Sequence, residues 1–309
     1  MSVPVKSAPV ALLVFNRPHL LARVLERVRE IRPETVLVVA DGPRDGVPND
    51  AQLCAEVRAL VRERIDWGPN VLTQYSDTNL GLRRRVSTGL DWVFKNVGEA
   101  IVLEDDCLPD PTFFRYCTEL LDRYRNDSRV GAISGSNFQS RTPSCEESYY
   151  FSKYPHCWGW ATWQRAWKLF DNSMTEWPRL RDQRWLEGVF AEESHARYWA
   201  ELFDGVYNGR INSWAYARTF SVWAQSMVTI IPQVNLVTNV GFGEAATHTT
   251  ASNSRLERSA TAMSFPLRHP RTVTINAAAD RFTQSAVFGS AKPRSAKEKL
   301  RRWINRRTA

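Results

Sequence analysis

The stretch Val10-Ala11-Leu12-Leu13-Val14-Phe15-Asn16-Arg17-Pro18 decides the fold. Its apolar run has no polar break and stops at a turn, the pattern of a strand covered on both faces. Pro18 suits the first turn of a helix, where its missing N–H costs nothing, and Leu20, Leu21, Val24, Leu25 and Val28 recur at helical spacing up to Arg32-Pro33. The next apolar run, Thr35–Ala40, ends at the turn signal Asp41-Gly42-Pro43. The unit then repeats as a helix over about 50–64, a strand Val71–Tyr75 closed by Ser76-Asp77, a helix Arg83–Lys95 and a strand Ala100–Leu103. Such alternation predicts an α/β fold, a mostly parallel sheet flanked by helices with right-handed crossovers. Sheets of this kind bind ligands beyond the carboxyl ends of their strands. Here those ends carry Asn16, Arg17, Asp41, Gly42, Ser76, Asp77, Glu104, Asp105 and Asp106, a polar and acidic rim.

Of the 309 residues, 43% are hydrophobic and 24% charged, which excludes disorder as the main state. No apolar stretch near the start reaches the roughly 20 residues of a membrane span, and no charged-then-apolar leader precedes it. The expectation is a cytoplasmic, unprocessed chain. The net charge of +8 is concentrated in residues 291–309, which carry eight Lys or Arg against Glu298 alone. The remainder is nearly neutral and shows no basic groove with interleaved aromatics, so nucleic acid is not an expected partner. Leu300, Trp303 and Ile304 fall on one helical face of that tail among Lys297, Lys299, Arg301, Arg302, Arg306 and Arg307. Two readings stand: a basic amphipathic helix, residues 292–307, holding the protein peripherally on an anionic inner membrane face, and a disordered solubilising tail. Five cysteines, odd in number and never at zinc-ribbon spacing, read as buried thiols.

The dinucleotide GxGxxG, the P-loop, HExxH and GxSxG motifs are all absent, which removes the usual signatures of several enzyme classes. Ile101-Val102-Leu103-Glu104-Asp105-Asp106 instead sets three consecutive carboxylates where a buried strand meets solvent. A divalent cation offsets such repulsion, since Mg²⁺ or Mn²⁺ takes one or two carboxylates plus phosphate oxygens. The alternative is a solvated loop opening a helix, with Asp110 near Pro111 as its cap.

The blocks Phe15-Asn16-Arg17-Pro18, Ala40-Asp41-Gly42 and Leu103-Glu104-Asp105-Asp106, followed by Pro109-Asp110-Pro111-Thr112-Phe113-Phe114-Arg115-Tyr116, resemble the inverting, metal-dependent glycosyltransferases of the GT-A fold. The resemblance is to N-acetylglucosaminyltransferase I and its bacterial relatives. Later blocks keep the order: Tyr154-Pro155, Gly159-Trp160, Trp167, Glu176-Trp177-Pro178, Ile231-Pro232, Thr238-Asn239-Val240-Gly241-Phe242 and Thr247-His248. The resemblance implies a GT-A-like domain over residues 8–250, with a nucleotide-sugar-binding half (8–140) and a Trp-rich acceptor half (149–250). A C-terminal extension (251–290) and the basic tail (291–309) follow. It further implies a UDP-sugar or related nucleotide-sugar donor with Mn²⁺ or Mg²⁺. Asp41 would contact the nucleobase, Arg17 would lie near the nucleotide, Glu104 and Asp105 would face ribose and phosphate, and Asp106 would hold the metal. His248 stands evenly between a structural histidine and a metal or phosphate ligand.

Nine of the twelve tryptophans fall between positions 158 and 223. Trp160, Trp163, Trp167 and Phe170 are spaced as one buried helix face, whereas Trp158, Trp185 and Trp214 lie outside that stripe and are candidates for stacking on an acceptor sugar. The segment Ala277–Ala291 reads as a linker. By the resemblance, the catalytic carboxylate belongs directly after the tryptophan of Asn212-Ser213-Trp214, where this chain has Ala215. Asp204 and Glu244 are the candidate substitutes for the base. The expected activity is inverting transfer of a hexosyl or N-acetylhexosaminyl unit to a glycan or glycolipid hydroxyl, as in polysaccharide biosynthesis. A catalytically impaired binder of nucleotide sugar or glycan is the alternative that Ala215 supports. A nucleotidyltransferase also suits an acidic-rimmed sheet, but the Gly- and basic-rich loop that cradles a triphosphate is absent after the first strand.

Overall fold

A computed structural model describes residues 7–139, 146–241 and 258–289. Glu244, His248 and the basic tail lie outside the described residues. Elements β1 (Val10–Val14), α1 (Pro18–Ile31), β2 (Thr35–Ala40), α2 (Asp50–Arg64), β3 (Asn70–Tyr75), α3 (Leu82–Asn96) and β4 (Glu99–Glu104) follow the alternation that the periodicity predicts. Next come β5 (Cys107–Pro109), α4 (Thr112–Arg123), β6 (Val130–Ser134), β7 (Tyr149–Ser152), β8 (Trp160–Trp163) and α5 (Gln164–Trp167). The chain continues through α6 (Trp177–Asp182), α7 (Leu186–Val189), α8 (Glu193–Tyr207), α9 (Trp214–Ala224), β9 (Val228–Pro232), β10 (Val237–Asn239), α10 (Ala277–Thr283) and a π-helical turn Gln284–Phe288.

Eight strands form one sheet in the order β3-β2-β1-β4-β8-β6-β9-β7. The first four are parallel, β8 runs antiparallel between β4 and β6, β9 is parallel to β6, and β7 closes the edge antiparallel to β9. Alternate residues of β1 serve two cores, as an unbroken apolar strand requires. Val10, Leu12 and Val14 pack with α1, α2 and α4, whereas Ala11 and Leu13 pack with α3. Because α1 and α2 cover one face and α3 the other, the winding reverses between β1 and β4. A crevice therefore opens at the carboxyl ends of this strand pair.

Two expectations are corrected. Trp160 and Trp163 belong to a strand, not to a helix face. Three residues apart in a strand they point to opposite sides, and they enter different cores, Trp163 with the α4 side and Trp160 with the α3 side. The four-residue run WATW is too short for its spacing to separate the two periods, and pairing with β4 and β6 decides. The segment Ala277–Ala291 is not a linker over its described part. Asn276 caps α10 by accepting the Ala279 N–H (3.0 Å), and buried Asp280 accepts from the Ser152 hydroxyl (2.5 Å) and the Lys153 N–H (3.1 Å). Alanine-rich composition hid a helix that docks on β7. The second half of the chain supplies β7, β8 and β9 to the same sheet as β1–β4, so both halves share one scaffold.

Candidate functional site

The crevice at the β1–β4 switch point opens into a cavity of about 580 Å³, within the range of small-molecule sites. Its acidic end carries Glu104, Asp106 and Arg17; its aromatic end carries Trp158, Trp214, Tyr216 and Phe288. Register explains the acidic end. Glu104 lies opposite Leu13 in the β1–β4 ladder, so the carboxylates that follow emerge beside the Asn16-Arg17 turn.

Asp105 turns inward, accepting the Phe15 N–H (3.2 Å) and lying 3.4 Å from Arg17 Nη1. Asp106 faces the cavity and takes the shorter ion pair with Arg17, 2.7 Å. Burial works against the Arg17 charge, and the Asp105 and Asp106 carboxylates overcome it, raising its pKa. The Asp106 carbonyl accepts the Val240 N–H (2.8 Å), and β5 pairs with β10, so residues 237–241 run alongside the acids. Gly241 is needed at this approach, because a Cβ there would collide with the Asp106 carboxylate. Thus the described part of the late sequence block is built into the rim by main-chain pairing.

Burial, then the Asp106 and Asp105 charges, push the Glu104 carboxyl up to about 8 against the pull of Arg17. Burial raises Asp105 to about 7, with Arg17 opposing and Asp106 adding to the rise. Unfolded carboxyls titrate near pH 4, so between roughly pH 4 and 8 the folded chain holds more protons than the unfolded one. The stability contributed by these neutral carboxyls is complete below that window and is lost as pH rises through 7 to 8. Melting temperature in metal-free buffer is expected to fall across the window. Thermal melts at fixed ionic strength check this, and a rising profile without ligand would contradict it.

Asp41 is on the same rim but does not line the cavity. Its carboxylate accepts the Gly42 and Leu80 N–H groups on Oδ1 (2.9 Å each) and the Gly81 N–H on Oδ2 (3.1 Å). It thereby anchors the loop that leads into α3, whose Leu82 does line the cavity. Trp158 borders the cavity and meets Phe138 edge-on at 5.2 Å. Gly159, at φ +62°, reverses the backbone so that Trp158 can face the cavity while Trp160 enters the core. Trp214 lines the same wall but is only 3% exposed, stacked on Trp160 at 6.1 Å.

The structure does not bring Trp185 or Asp204 to this cavity. Trp185 packs on Phe220 and borders a separate pocket of about 670 Å³ beneath α7. Asp204 accepts the Trp177 indole N–H (3.0 Å) and pairs with Arg181 (3.3 Å), which ties α6 to α8. The ordering of a buried indole therefore accounts for its carboxylate. Ala215 does line the cavity, in the first turn of α9, whose Ser213 cap accepts the Tyr216 N–H (3.5 Å). Among the described residues, Glu104 and Asp106 are the carboxylates of the wall.

Sequence reasoning missed Phe288, His156 and Cys157. The π-helical turn brings Phe288 over Tyr154 (stacked, 5.3 Å) and into the cavity wall. No local pattern announces this, because the register of that turn is set by Gln284, whose Oε1 accepts from both Tyr154 and Trp199 (2.8 Å each). His156 is pushed down to about 3 by burial and by Arg218, so it faces the site as a neutral imidazole.

No family profile matches the chain, and no curated protein matches it. Among solved structures, it is similar to UDP-glucose pyrophosphorylase complexed with UDP-glucose, at 12% identity over 52% of this chain and 78% of that one, TM-score 0.33. It is also similar to apo UDP-glucose pyrophosphorylase, at 11% identity over 74% and 92%, TM-score 0.37. Likeness this loose bears on neither activity nor ligand. Among the described residues no helix is long and apolar enough to cross a membrane.

Proposed function

We propose that the protein is a nucleotide-sugar-dependent glycosyltransferase, using the β1–β4 crevice for the donor and the aromatic end of the same cavity for a glycan or glycolipid acceptor. One observation carries the reading: a single cavity joins an acid pair suited to a diphosphate-bound cation to tryptophan and tyrosine surfaces suited to sugar rings. The N-terminal turn of α9 borders the same space and favours negative charge on a ligand. A nucleotide sugar presents both chemistries in one molecule.

Among the described residues, no three His, Cys, Asp or Glu side chains converge to hold a metal alone. Asp106 with Glu104 fits the other arrangement, in which a cation takes one or two carboxylates and completes its shell from phosphate oxygens. Bound there, Mn²⁺ or Mg²⁺ would supply Lewis-acid neutralisation of the charge that gathers on the departing nucleoside diphosphate. Arg17 orients Asp106 and shares that electrostatic task. Trp158 offers a face to the acceptor sugar. The base falls to Glu244, three residues beyond Gly241 of the cavity wall; a tether of that length spans at most about 10 Å. His248, four residues further, is assigned to the phosphate or cation.

A second reading has its own support. Ala215 on the cavity wall cannot take a proton, which favours a binding protein that holds the nucleotide sugar without transferring it. Calorimetry with a panel of nucleotide sugars, with and without Mn²⁺, tests donor binding, and donor-hydrolysis and transfer assays separate the two readings. No heat with any nucleotide sugar in either condition would overturn both. A peripheral membrane role for residues 292–307 predicts that deleting 292–309 abolishes flotation with anionic liposomes.

A further inference from the structure

Arg218 on α9 is 4% exposed, with its guanidinium lying 3.7 Å over the face of Trp160. Among the described residues, its Nη1 and Nη2 and the Trp160 Nε1 are buried without a hydrogen-bond partner. Leaving a buried charge unpaired is costly in a protein interior, so such atoms ask for an occupant. Both side chains line a small pocket of about 20 Å³, together with Gly131, Thr162, Trp167 and Ser221. This pocket is distinct from the donor cavity, whose wall does not include Arg218.

The unpaired side-chain atoms of its wall are all donors. The Thr162 hydroxyl donates to the Gly131 carbonyl (2.7 Å), and the Ser221 hydroxyl donates to the Ala217 carbonyl (3.0 Å) while accepting the Asp171 N–H (3.0 Å). Among the described residues no Asp or Glu borders the pocket. The thiol nearest in electrostatic effect, Cys157, is pushed up to about 12 by burial and by Glu104, so it is neutral and provides no counter-ion. A water accepting from Arg218 and Trp160 would have to donate elsewhere, and among the described residues no unpaired side-chain acceptor borders the pocket. An anion accepts only. A space of about 20 Å³ suits an ion of one atom better than a polyatomic anion.

We propose that this pocket is a binding site for one small monovalent anion, a halide such as chloride, held by Nη1 and Nη2 of Arg218 and Nε1 of Trp160. The ion neutralises the buried guanidinium and braces α9 against β8. The helix whose first turn walls the donor cavity is thereby held in place.

Crystals grown in sodium bromide and measured at the bromine absorption edge should show an anomalous peak within hydrogen-bond distance of the Arg218 guanidinium. Melting in sodium chloride against sodium gluconate at equal ionic strength should show a saturable halide-specific rise of about 2–4 °C. Arg218→Met, an unbranched apolar side chain, should remove that rise; Trp160→Phe, which keeps an aromatic face under the guanidinium but loses the indole N–H, should reduce it. If Arg218→Met does not fold, the bromide peak and Trp160→Phe decide. An empty or water-filled pocket in bromide, or equal melting in the two salts, would overturn the assignment. Both readouts are made without nucleotide sugar, so failure of this assignment is distinguishable from failure of the donor-site reading.

Discussion

Asp106→Asn is expected to lower transfer efficiency, kcat/KM, by about 100-fold or more, which is ~2.7 kcal/mol of transition-state stabilisation. The substitution keeps the shape of the side chain and removes the charge that faces the cavity. Arg17 then retains the Asp105 carboxylate at 3.4 Å but loses the charge of the carboxylate at 2.7 Å, so both the cation seat and its positioning group suffer. Isothermal titration with UDP and Mn²⁺ should show the metal-dependent part of binding disappear, while the fold is retained. A second readout is independent of turnover. Asp106 is, after burial, the first cause of the raised Glu104 pKa. In the variant that carboxyl moves back toward the ordinary range, and the pH window over which apo stability declines shifts downward. Unchanged metal-dependent UDP binding in Asp106→Asn would remove the acid rim from the donor site.

Glu244→Gln is expected to cut transfer by about 10²–10⁴-fold while leaving donor affinity within a few-fold, the signature of a lost general base. The assignment rests on what the described wall lacks. Its acceptor end offers aromatic rings, amide and hydroxyl groups but no carboxylate, and Asp204 is committed to Trp177 and Arg181. Single-turnover measurements with saturating donor separate the chemical step from binding. If wild-type protein binds donor and transfers nothing, Ala215→Asp becomes the informative variant. Gain of transfer there would identify a chain that kept its donor site and lost its base. Full activity in Glu244→Gln would place the base in another group.

The parallel half of the sheet was legible from β1 to β4 because each element there is long enough to show its period. Acids at the strand ends were legible as well, since the carboxyl edge of a parallel sheet gathers whatever follows each apolar run. The short run Trp160–Trp163 was not: side-chain spacing alone cannot distinguish one helical turn from four strand residues. Trp185 and Asp204 were misplaced relative to the site for a related reason. Aromatic content marks a core as readily as a sugar platform, and only packing assigned Trp185 to the α7 pocket and Trp158 to the cavity.

By itself, the amino-acid order determined the α/β class, the winding of the first four strands and the acidic rim, because periodicity and turn chemistry act over a few neighbouring residues. Only the tertiary structure decided that β8 and β7 join the same sheet antiparallel, that a segment read as a linker puts Phe288 on the cavity wall, and that Arg218 is buried without a carboxylate partner among the described residues. Those outcomes depend on contacts between residues far apart in the chain, and which surfaces meet is settled by mutual burial rather than by any local pattern.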